Sequence, residues 1–238
     1  MPSAPTPVDP TDDRGDDRPL PGRLREARAN DTAVLAAARE VFATQGRGAS
    51  MADVARHAGV GVGSVYRRYP TKEALVEALH VQAVREAARL ATEVADQHGS
   101  GVAHDATPDV APDVEGAVGT FLARQITGAT GPLLRPPGTG GPLPADLAAA
   151  TRDLRVGLER LVAYDRTAGL LPAGFTTADV MQLLLHLRPT LPFPRAEADA
   201  LHLRYLRLVL AGLRSRSGAG DGLGDGPRWE DWVGAWHD

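Results

Sequence analysis

Side chains that bind phosphates and base edges are concentrated in one stretch of the sequence, SMADVARHAGVGVGSVYRRYPTK, residues 50–72. Its second half contains a hydroxyl at Ser64, a phenol at Tyr66 and two adjacent guanidinium groups, and it ends on a lysine. Guanidinium and hydroxyl groups donate hydrogen bonds to phosphate oxygens, and arginine also pairs with the edge of guanine. The stretch therefore has the side chains of a nucleic-acid contact, provided that the backbone presents them on one face.

The distribution of charge agrees with this interpretation. The formal net charge is -4, yet residues 23–72 carry 9 basic and 4 acidic side chains, whereas residues 73–238 carry 15 and 21. Such an asymmetry is expected when one small part of a protein meets phosphates. Charge alone fits a solvated basic face equally well. A protein that packages DNA non-specifically is disfavoured, because its basic charge would be spread widely.

The spacing within residues 50–72 is typical of two short helices joined by a tight turn. Ser50 is a candidate N-cap, and Asp53 three residues later completes a capping-box pattern. Gly59 lies at the turn, where a left-handed backbone is needed, and Ala55 is small where the helices would cross. The angle between the helices would be fixed by an apolar wedge of Val54, Ala58, Val60 and Val65.

The second of these helices is predicted to enter the major groove of double-stranded DNA. Its first residues would face base edges: Gly61, Val62, Gly63 and Ser64. Contacts to phosphates or bases would come from Tyr66, Arg67, Arg68 and Lys72. Tyr69 falls on the inward side together with Val65, so it is predicted to be a core residue.

The pattern A-x-x-A-G-V-x-x-G-S-V-Y-R-x-Y-P-T-K resembles the DNA-binding domain of the tetracycline-repressor-like (TetR) family, from Asp31 to about Leu79. The resemblance implies a homodimeric transcription repressor that a small-molecule effector releases from a near-palindromic, double-stranded DNA operator. By position it implies phosphate contacts from Ser50, Tyr66 and Lys72. It also implies base readout by Val62, Gly63, Ser64 and either Arg67 or Arg68.

Two positions depart from the family pattern. Gly61 stands where serine or threonine is usual, and Arg68 stands where histidine is usual. We therefore expect fewer hydroxyl contacts and stronger charge contacts. Direct readout should depend on Ser64, on a contact of Val62 with a thymine methyl group, and on an arginine bound to guanine.

Helical periodicity predicts an all-α fold in which three short helices precede a larger helical bundle. A first helix starts at Asn30 or Asp31, and a long helix runs from near Lys72 to about Gln97. Later helices are predicted at about Val110–Thr127, Ala145–Ala168, Thr176–Leu187 and Arg195–Leu213. The predicted division is a disordered tail over residues 1–22, a helix-turn-helix domain over 23–72, an effector-binding and dimerisation domain over 73–216, and a Gly-rich linker with a Trp-bearing segment over 217–238.

The second domain contains the candidate dimer helices and effector pocket. Thr176–Leu187 and Arg195–Leu213 are the most apolar helices, which suggests a surface beyond the needs of one bundle. Bulky or polar-tipped residues on mainly apolar helices are pocket candidates: Phe121, Gln125, Tyr164, Met181 and His186. Each of them would also fit an ordinary core position.

The three tryptophans, Trp229, Trp232 and Trp236, have the spacing of one helical face. Such a stripe should not remain in water. The sequence leaves two interpretations open: a terminal helix docked on its own subunit, or an arm that covers the effector pocket or holds the partner subunit.

A metal-binding helical-bundle protein or enzyme is the alternative function. Glu77 with His80, and Asp199 with His202, have the carboxylate-x-x-His spacing of paired-metal bundles, but few further inward carboxylates accompany them. No recognisable catalytic or phosphate-loop motif and no cysteine is present. We therefore predict no enzymatic activity, no cofactor and no metal. An acidic N-terminus and the lack of long apolar runs predict a cytoplasmic protein without a membrane segment.

Overall fold

The computed structural model describes residues 21–100, 114–128, 142–189, 191–217 and 224–235. All regular structure within these ranges is helical, which confirms the predicted all-α fold. The helices are α1 (Pro21–Gln45), α2 (Met51–Ala58), α3 (Val62–Arg68), α4 (Lys72–Gly99), α5 (Ala117–Gly128), α6 (Ala145–Thr167), α7 (Thr177–Leu187), α8 (Arg195–Arg216) and α9 (Trp229–Gly234). None of the described helices is long and apolar enough to span a bilayer.

The ends of two helices differ from the sequence prediction. α1 begins at Pro21 instead of near Asn30, because the intervening residues RLREARA are mostly strong helix formers. The rest of the predicted tail, residues 1–20, lies outside the described residues. α5 begins at Ala117, directly after Gly116, whose φ of +85° marks a break in the chain direction. The start predicted at Val110 lies outside the described residues.

Buried side chains form two clusters. The N-terminal cluster joins α1, α2 and α3, and it includes Leu75 and Leu79 from the first turns of α4. The bundle cluster joins the rest of α4 to α5, α6 and α7, with Leu206 of α8 and Trp229 of α9. α4 therefore contributes to both clusters, and the predicted domain boundary after residue 72 falls at its start.

α4 and α6 pack closely because small residues lie where they cross. A Cβ atom added at Gly157 of α6 would lie 2.7 Å from the Cβ atom of Ala91 in α4, which is closer than two carbon atoms can approach. Ala87 and Ala88 of α4 are also buried, and their side chains are as small as that of Ala91. The backbone of α6 thus packs directly on the methyl group of Ala91, and a larger residue at this crossing would force the helices apart.

α5 receives its N-terminal cap from a different helix. The carboxylate of Asp165 in α6, which is 2% exposed, accepts the N–H groups of Ala117 at 2.7 Å and Val118 at 2.9 Å. Burial raises the pKa of Asp165, and the two N–H donors and nearby His98 oppose that rise. A Cβ atom at Gly116 would lie 2.7 Å from a carboxylate oxygen, so glycine is needed there. Asp165 therefore fixes where α5 starts.

We expect Asp165→Ala to lower the free energy of unfolding by about 2–4 kcal/mol, because two buried N–H groups lose their acceptor. Asp165→Asn keeps one acceptor oxygen and should lose less. Asp153→Ala, an exposed carboxylate on the same helix, is the matched control and should change stability by less than about 0.5 kcal/mol. Urea denaturation measures all three, and equal stability of Asp165→Ala and the control would contradict this role.

Candidate nucleic-acid interface

The turn between α2 and α3 has the geometry that its sequence predicts. The Ser50 hydroxyl accepts the N–H of Asp53 at 3.1 Å, and the Asp53 carboxylate accepts the N–H of Ser50 at 3.1 Å, which completes a capping box. The hydroxyl of Ser50 also donates to the Asp53 carboxylate, and this hydrogen bond, together with that from the N–H of Ser50, lowers the pKa of Asp53. Gly59 adopts the left-handed conformation with φ of +69°. The chain therefore reverses here as a helix-turn-helix requires.

The inward side of this unit is apolar. Val54 and Ala55 of α2 are buried against Val65 of α3, and Ala58 and Val60 pack partly against the same cluster. Tyr69 is buried beside them, as predicted. Because α3 is anchored on this side, its other face is left toward solvent.

The outward face carries the predicted contact residues. Gly61, Val62, Gly63 and Ser64 at its front are exposed, and so are Tyr66, Arg67 and Arg68 further along. Tyr66 is 49% exposed although it is a large aromatic residue. The structure thus leaves all of these positions open to solvent, and we call the surface that they form the α3 face.

The two glycines at the front of the α3 face are not required by the protein's own packing. A Cβ atom at Gly61 or at Gly63 would meet no other atom within 4 Å, and neither residue has a left-handed backbone. An alanine would fit at either position in the isolated protein. What the glycines provide is a backbone without side chains, which allows a binding partner to come close.

The serine hydroxyls of the interface are already engaged within the protein. Arg67 donates to the Ser64 hydroxyl at 3.0 Å, which joins the polar tip of one candidate readout residue to another. The Ser50 hydroxyl donates to the Asp53 carboxylate at 2.6 Å. A hydroxyl has a single hydrogen to donate, so Ser50 can donate to a phosphate only after leaving Asp53.

Arg68 is tied to α1 by a carboxylate that sequence reasoning treated only as a candidate helix cap. Asp31 accepts hydrogen bonds from Arg68 Nε at 3.2 Å and Nη2 at 3.3 Å, and from the Tyr69 hydroxyl at 2.5 Å. The hydrogen bond to Asp31 raises the pKa of Arg68, and burial raises that of Tyr69. Asp31 is therefore a missed site residue, because the partners lie 37 and 38 residues away in sequence.

Lys72 lies at the start of α4, beside the α3 face. Its ammonium group is 5.5 Å from the centre of the Phe42 ring of α1, within the range of a cation–π contact. Thr71 caps α4 by accepting the N–H of Ala74 at 3.1 Å. The aromatic ring and the cap together fix where the lysine side chain leaves the helix.

The five candidate pocket residues differ in their surroundings. Phe121 is completely buried in the bundle cluster, and Met181 packs partly against it. Tyr164 is exposed and meets the ring of His98 edge-on, with centroids 5.2 Å apart. His186 is exposed beside Gln182, and Gln125 is half-buried. A shared role around an effector stays a prediction.

The two carboxylate-x-x-His pairs are accounted for in different ways. Asp199 binds Arg195 at 2.7 Å, and His202 is buried in α8. Glu77 and His80 are half-buried on α4. Within the described ranges, no group of three or more histidine, aspartate or glutamate side chains is placed to hold a metal ion. The metal-site alternative therefore gains no support from these residues.

Comparisons with known proteins agree with this geometry. Residues 34–79, which run from α1 to the first turns of α4, match the family described as bacterial regulatory proteins, tetR family. A TetR transcription regulatory protein from Mycobacterium vanbaalenii has a similar crystal structure, with a TM-score of 0.53, 28% sequence identity, and coverage of 81% of this chain and 99% of that one. A TetR transcriptional regulator from Streptomyces coelicolor gives a TM-score of 0.48 at 29% identity, with coverage of 78% and 98%. Comparison with curated proteins gave no significant match.

We expect Asp31 to withhold Arg68 from phosphates. Asp31→Asn keeps an acceptor for the Tyr69 hydroxyl but releases the arginine, so DNA affinity should rise and the salt dependence of binding should steepen by about one unit. Arg68→Ala alone should leave the salt slope near that of the parent, and the double variant should match Arg68→Ala. Fluorescence anisotropy over a range of salt concentrations measures the slopes. A slope that falls by one unit in Arg68→Ala would show instead that Arg68 already contacts DNA.

Proposed function

We propose that this chain is a TetR-family transcriptional regulator. It would bind a near-palindromic DNA operator as a homodimer and repress transcription until a small-molecule effector releases it. The observation that carries the proposal is the α3 face, a glycine-fronted helix that stands open on a rigid apolar base. The proposal assigns no catalytic step or cofactor to the chain. The protein would act in the cytoplasm, where the operator is.

The α3 face would bind the major groove with its N-terminal end forward. Gly61 and Gly63 would let the backbone approach the base edges, with Val62 against a thymine methyl group. Ser64 and Arg67, already joined by a hydrogen bond, would read bases as a pair. The shared hydrogen bond restricts the arginine before it meets DNA, which reduces the entropy lost on binding.

Phosphate contacts would flank this readout. Tyr66 and Lys72 would provide two of them, and Ser50 would contribute a third after exchanging Asp53 for a phosphate. Arg68 would join them only when Asp31 releases it. Such contacts fix the register of α3 on the duplex, and they carry no sequence information.

The apolar outer side of α8 supports the homodimer. Of the 22 residues of α8, only His202 and Leu206 are buried. Tyr205 is 49% exposed and Leu208 is 56% exposed, although both are large. α8 packs on α5 and α7 and leaves this side open. A second copy meeting it would bury these residues and would place two α3 helices for adjacent major grooves, about 34 Å apart.

An effector would bind within the bundle that α4 shares with α5, α6 and α7. Phe121 and Met181 would provide apolar contacts there, and Gln125, Tyr164 and His186 would orient the ligand after local rearrangement. Because α4 also belongs to the N-terminal cluster, a displacement of its bundle half would move its first turns. The proposed release therefore acts through α4.

Gly63→Ala separates a DNA contact from a structural role. The added Cβ atom fits the free protein, and alanine favours helix, so the free energy of unfolding should rise by up to about 1 kcal/mol. The DNA used is a duplex that the parent protein selects from a random library. Gly63→Ala should bind this duplex about tenfold or more weakly than the parent does, because its backbone can no longer approach the bases.

Gly99→Ala, at the exposed end of α4, is the matched control. Its Cβ atom also meets nothing within 4 Å, and it should leave DNA affinity unchanged. Undiminished DNA binding by a correctly folded Gly63→Ala protein would overturn the assignment of the α3 face.

Leu208→Glu should convert the dimer into a monomer, because it places a charge in the proposed subunit interface. Val156→Glu is the matched control: Val156 on α6 is 58% exposed, as open as Leu208, and its replacement should leave the dimer intact. Sedimentation velocity at micromolar protein distinguishes the two species. A dimeric Leu208→Glu protein would place the subunit interface on another face.

A further inference from the structure

All three tryptophans of the sequence lie within residues 229–238. Trp229 is buried in the bundle cluster and stacks on Trp232 with ring centroids 5.8 Å apart, whereas Trp236 lies outside the described residues. The described part of this region, residues 224–235, which we call the tryptophan segment, docks on its own subunit, as one of the two sequence interpretations predicted. DNA binding and dimerisation leave the segment without a role.

The tryptophan segment is fitted to its seat at the level of the backbone. The N–H of Gly226 donates to the carbonyl of Gly174 at 2.9 Å. A Cβ atom at Gly226 would lie 2.1 Å from a carboxylate oxygen of Asp179, and one at Gly174 would lie 2.2 Å from the carbonyl oxygen of Gly224. Because neither glycine has room for any side chain, the contact depends on these two residues being glycine.

The segment lies against α6 and α7, at a place that we call the crevice, and makes three chemically different contacts there. The indole of Trp229 is buried in the bundle cluster. The indole N–H of Trp232 donates to the amide oxygen of Gln182 on α7 at 3.1 Å. The carboxylate of Glu230 pairs with the guanidinium of Arg155 on α6. A fused aromatic ring, an N–H donor and an anion are thus each recognised.

The segment is built so that it can leave without unfolding the bundle. α9 has six residues, which is too few for a helix to persist in water on its own. The connection from α8, residues 217–226, is half glycine. Arg228 and Asp231 of the segment are exposed, and the side chains that hold it are those of Trp229, Glu230, Trp232 and Val233. Occupancy of the crevice is therefore set by a small number of contacts that a ligand could replace.

We propose that the crevice between α6 and α7 binds planar aromatic carboxylates and that the tryptophan segment occupies it as a tethered competitor. The ligand's fused ring takes the place of Trp232 with its ring N–H bound to Gln182, and its carboxylate takes the place of Glu230 at Arg155. The inference goes beyond the proposed function, because the crevice is a different site from the predicted effector pocket and does not require its ligand to be the effector.

The test uses the full chain labelled with 15N-tryptophan, whose indole N–H signals all come from residues 229–238. Indole-3-acetate is the probe, and neutral 3-methylindole is the matched compound without a carboxylate. The Trp232 signal, assigned with Trp232→Phe, should move to the position seen in a synthetic peptide of residues 224–238. Indole-3-acetate should achieve this at about a fivefold lower concentration than 3-methylindole, and Arg155→Ala should abolish the difference.

Gly226→Ala provides an independent arm, because its Cβ atom unseats the segment without removing an apolar side chain. Its indole signals should start at the free position, and calorimetry should show about tenfold tighter binding of indole-3-acetate, since the competitor is gone. Gly234→Ala, whose Cβ atom meets nothing within 4 Å, is the control and should behave as the parent.

Two results would overturn the proposal and leave the crevice as a packing seat. Either neither the parent nor Gly226→Ala binds indole-3-acetate, or Arg155→Ala binds it as well as the parent does. DNA affinity is measured on the same preparations without the probe. A failure of DNA binding there contradicts the proposed function and leaves the result on the crevice standing.

Discussion

The exposure of the α3 face depends on one constraint, the left-handed turn at Gly59 followed by the anchoring of Val65 and Tyr69. A helix of seven residues has no stability of its own, so its orientation is that of its buried side. Burying Val65 fixes the rotation of α3 about its axis, and burying Tyr69 fixes where it ends. The residues before Val65, and those between Val65 and Tyr69, are therefore directed toward solvent. Base readout would thus be positioned by core packing rather than by the polar residues that perform it.

Local signals in the sequence were sufficient for this part of the molecule. The capping box of Ser50 and Asp53, the glycine at 59 and the inward position of Tyr69 all follow from residues within one or two turns of each other. The same holds for the later helices: Ala145, Thr176 and Arg195 were predicted as starting points, and the helices begin there or one residue later. Short-range hydrogen bonds and steric preferences decide these features, and both depend on residues that are close together in the sequence.

Contacts between distant residues could not be predicted in the same way. Asp31 looked like a helix cap, because a carboxylate near a helix start has that role in most sequences. Its partners Arg68 and Tyr69 become visible only once α1 and α3 are packed together. Asp165 likewise caps a helix that starts 48 residues earlier. The candidate pocket residues were chosen by type alone, and type does not say which of Phe121 and Tyr164 will be buried.

The proposed coupling between the bundle and the α3 face acts through α4, which packs on both α5 and α6. Two ion pairs also join α4 and α6, Arg160 with Asp96 at 2.6 Å and Arg85 with Asp146 at 3.4 Å, but exposed pairs of this kind contribute little. The contact of Gly157 with Ala91 is different, because the backbone of α6 packs against a methyl group of α4 with no space between them to be compressed. A displacement of α6 toward α4 must therefore move α4 as a whole. Since Leu75 and Leu79 at its other end are buried with Val65, the base that orients α3 moves with it.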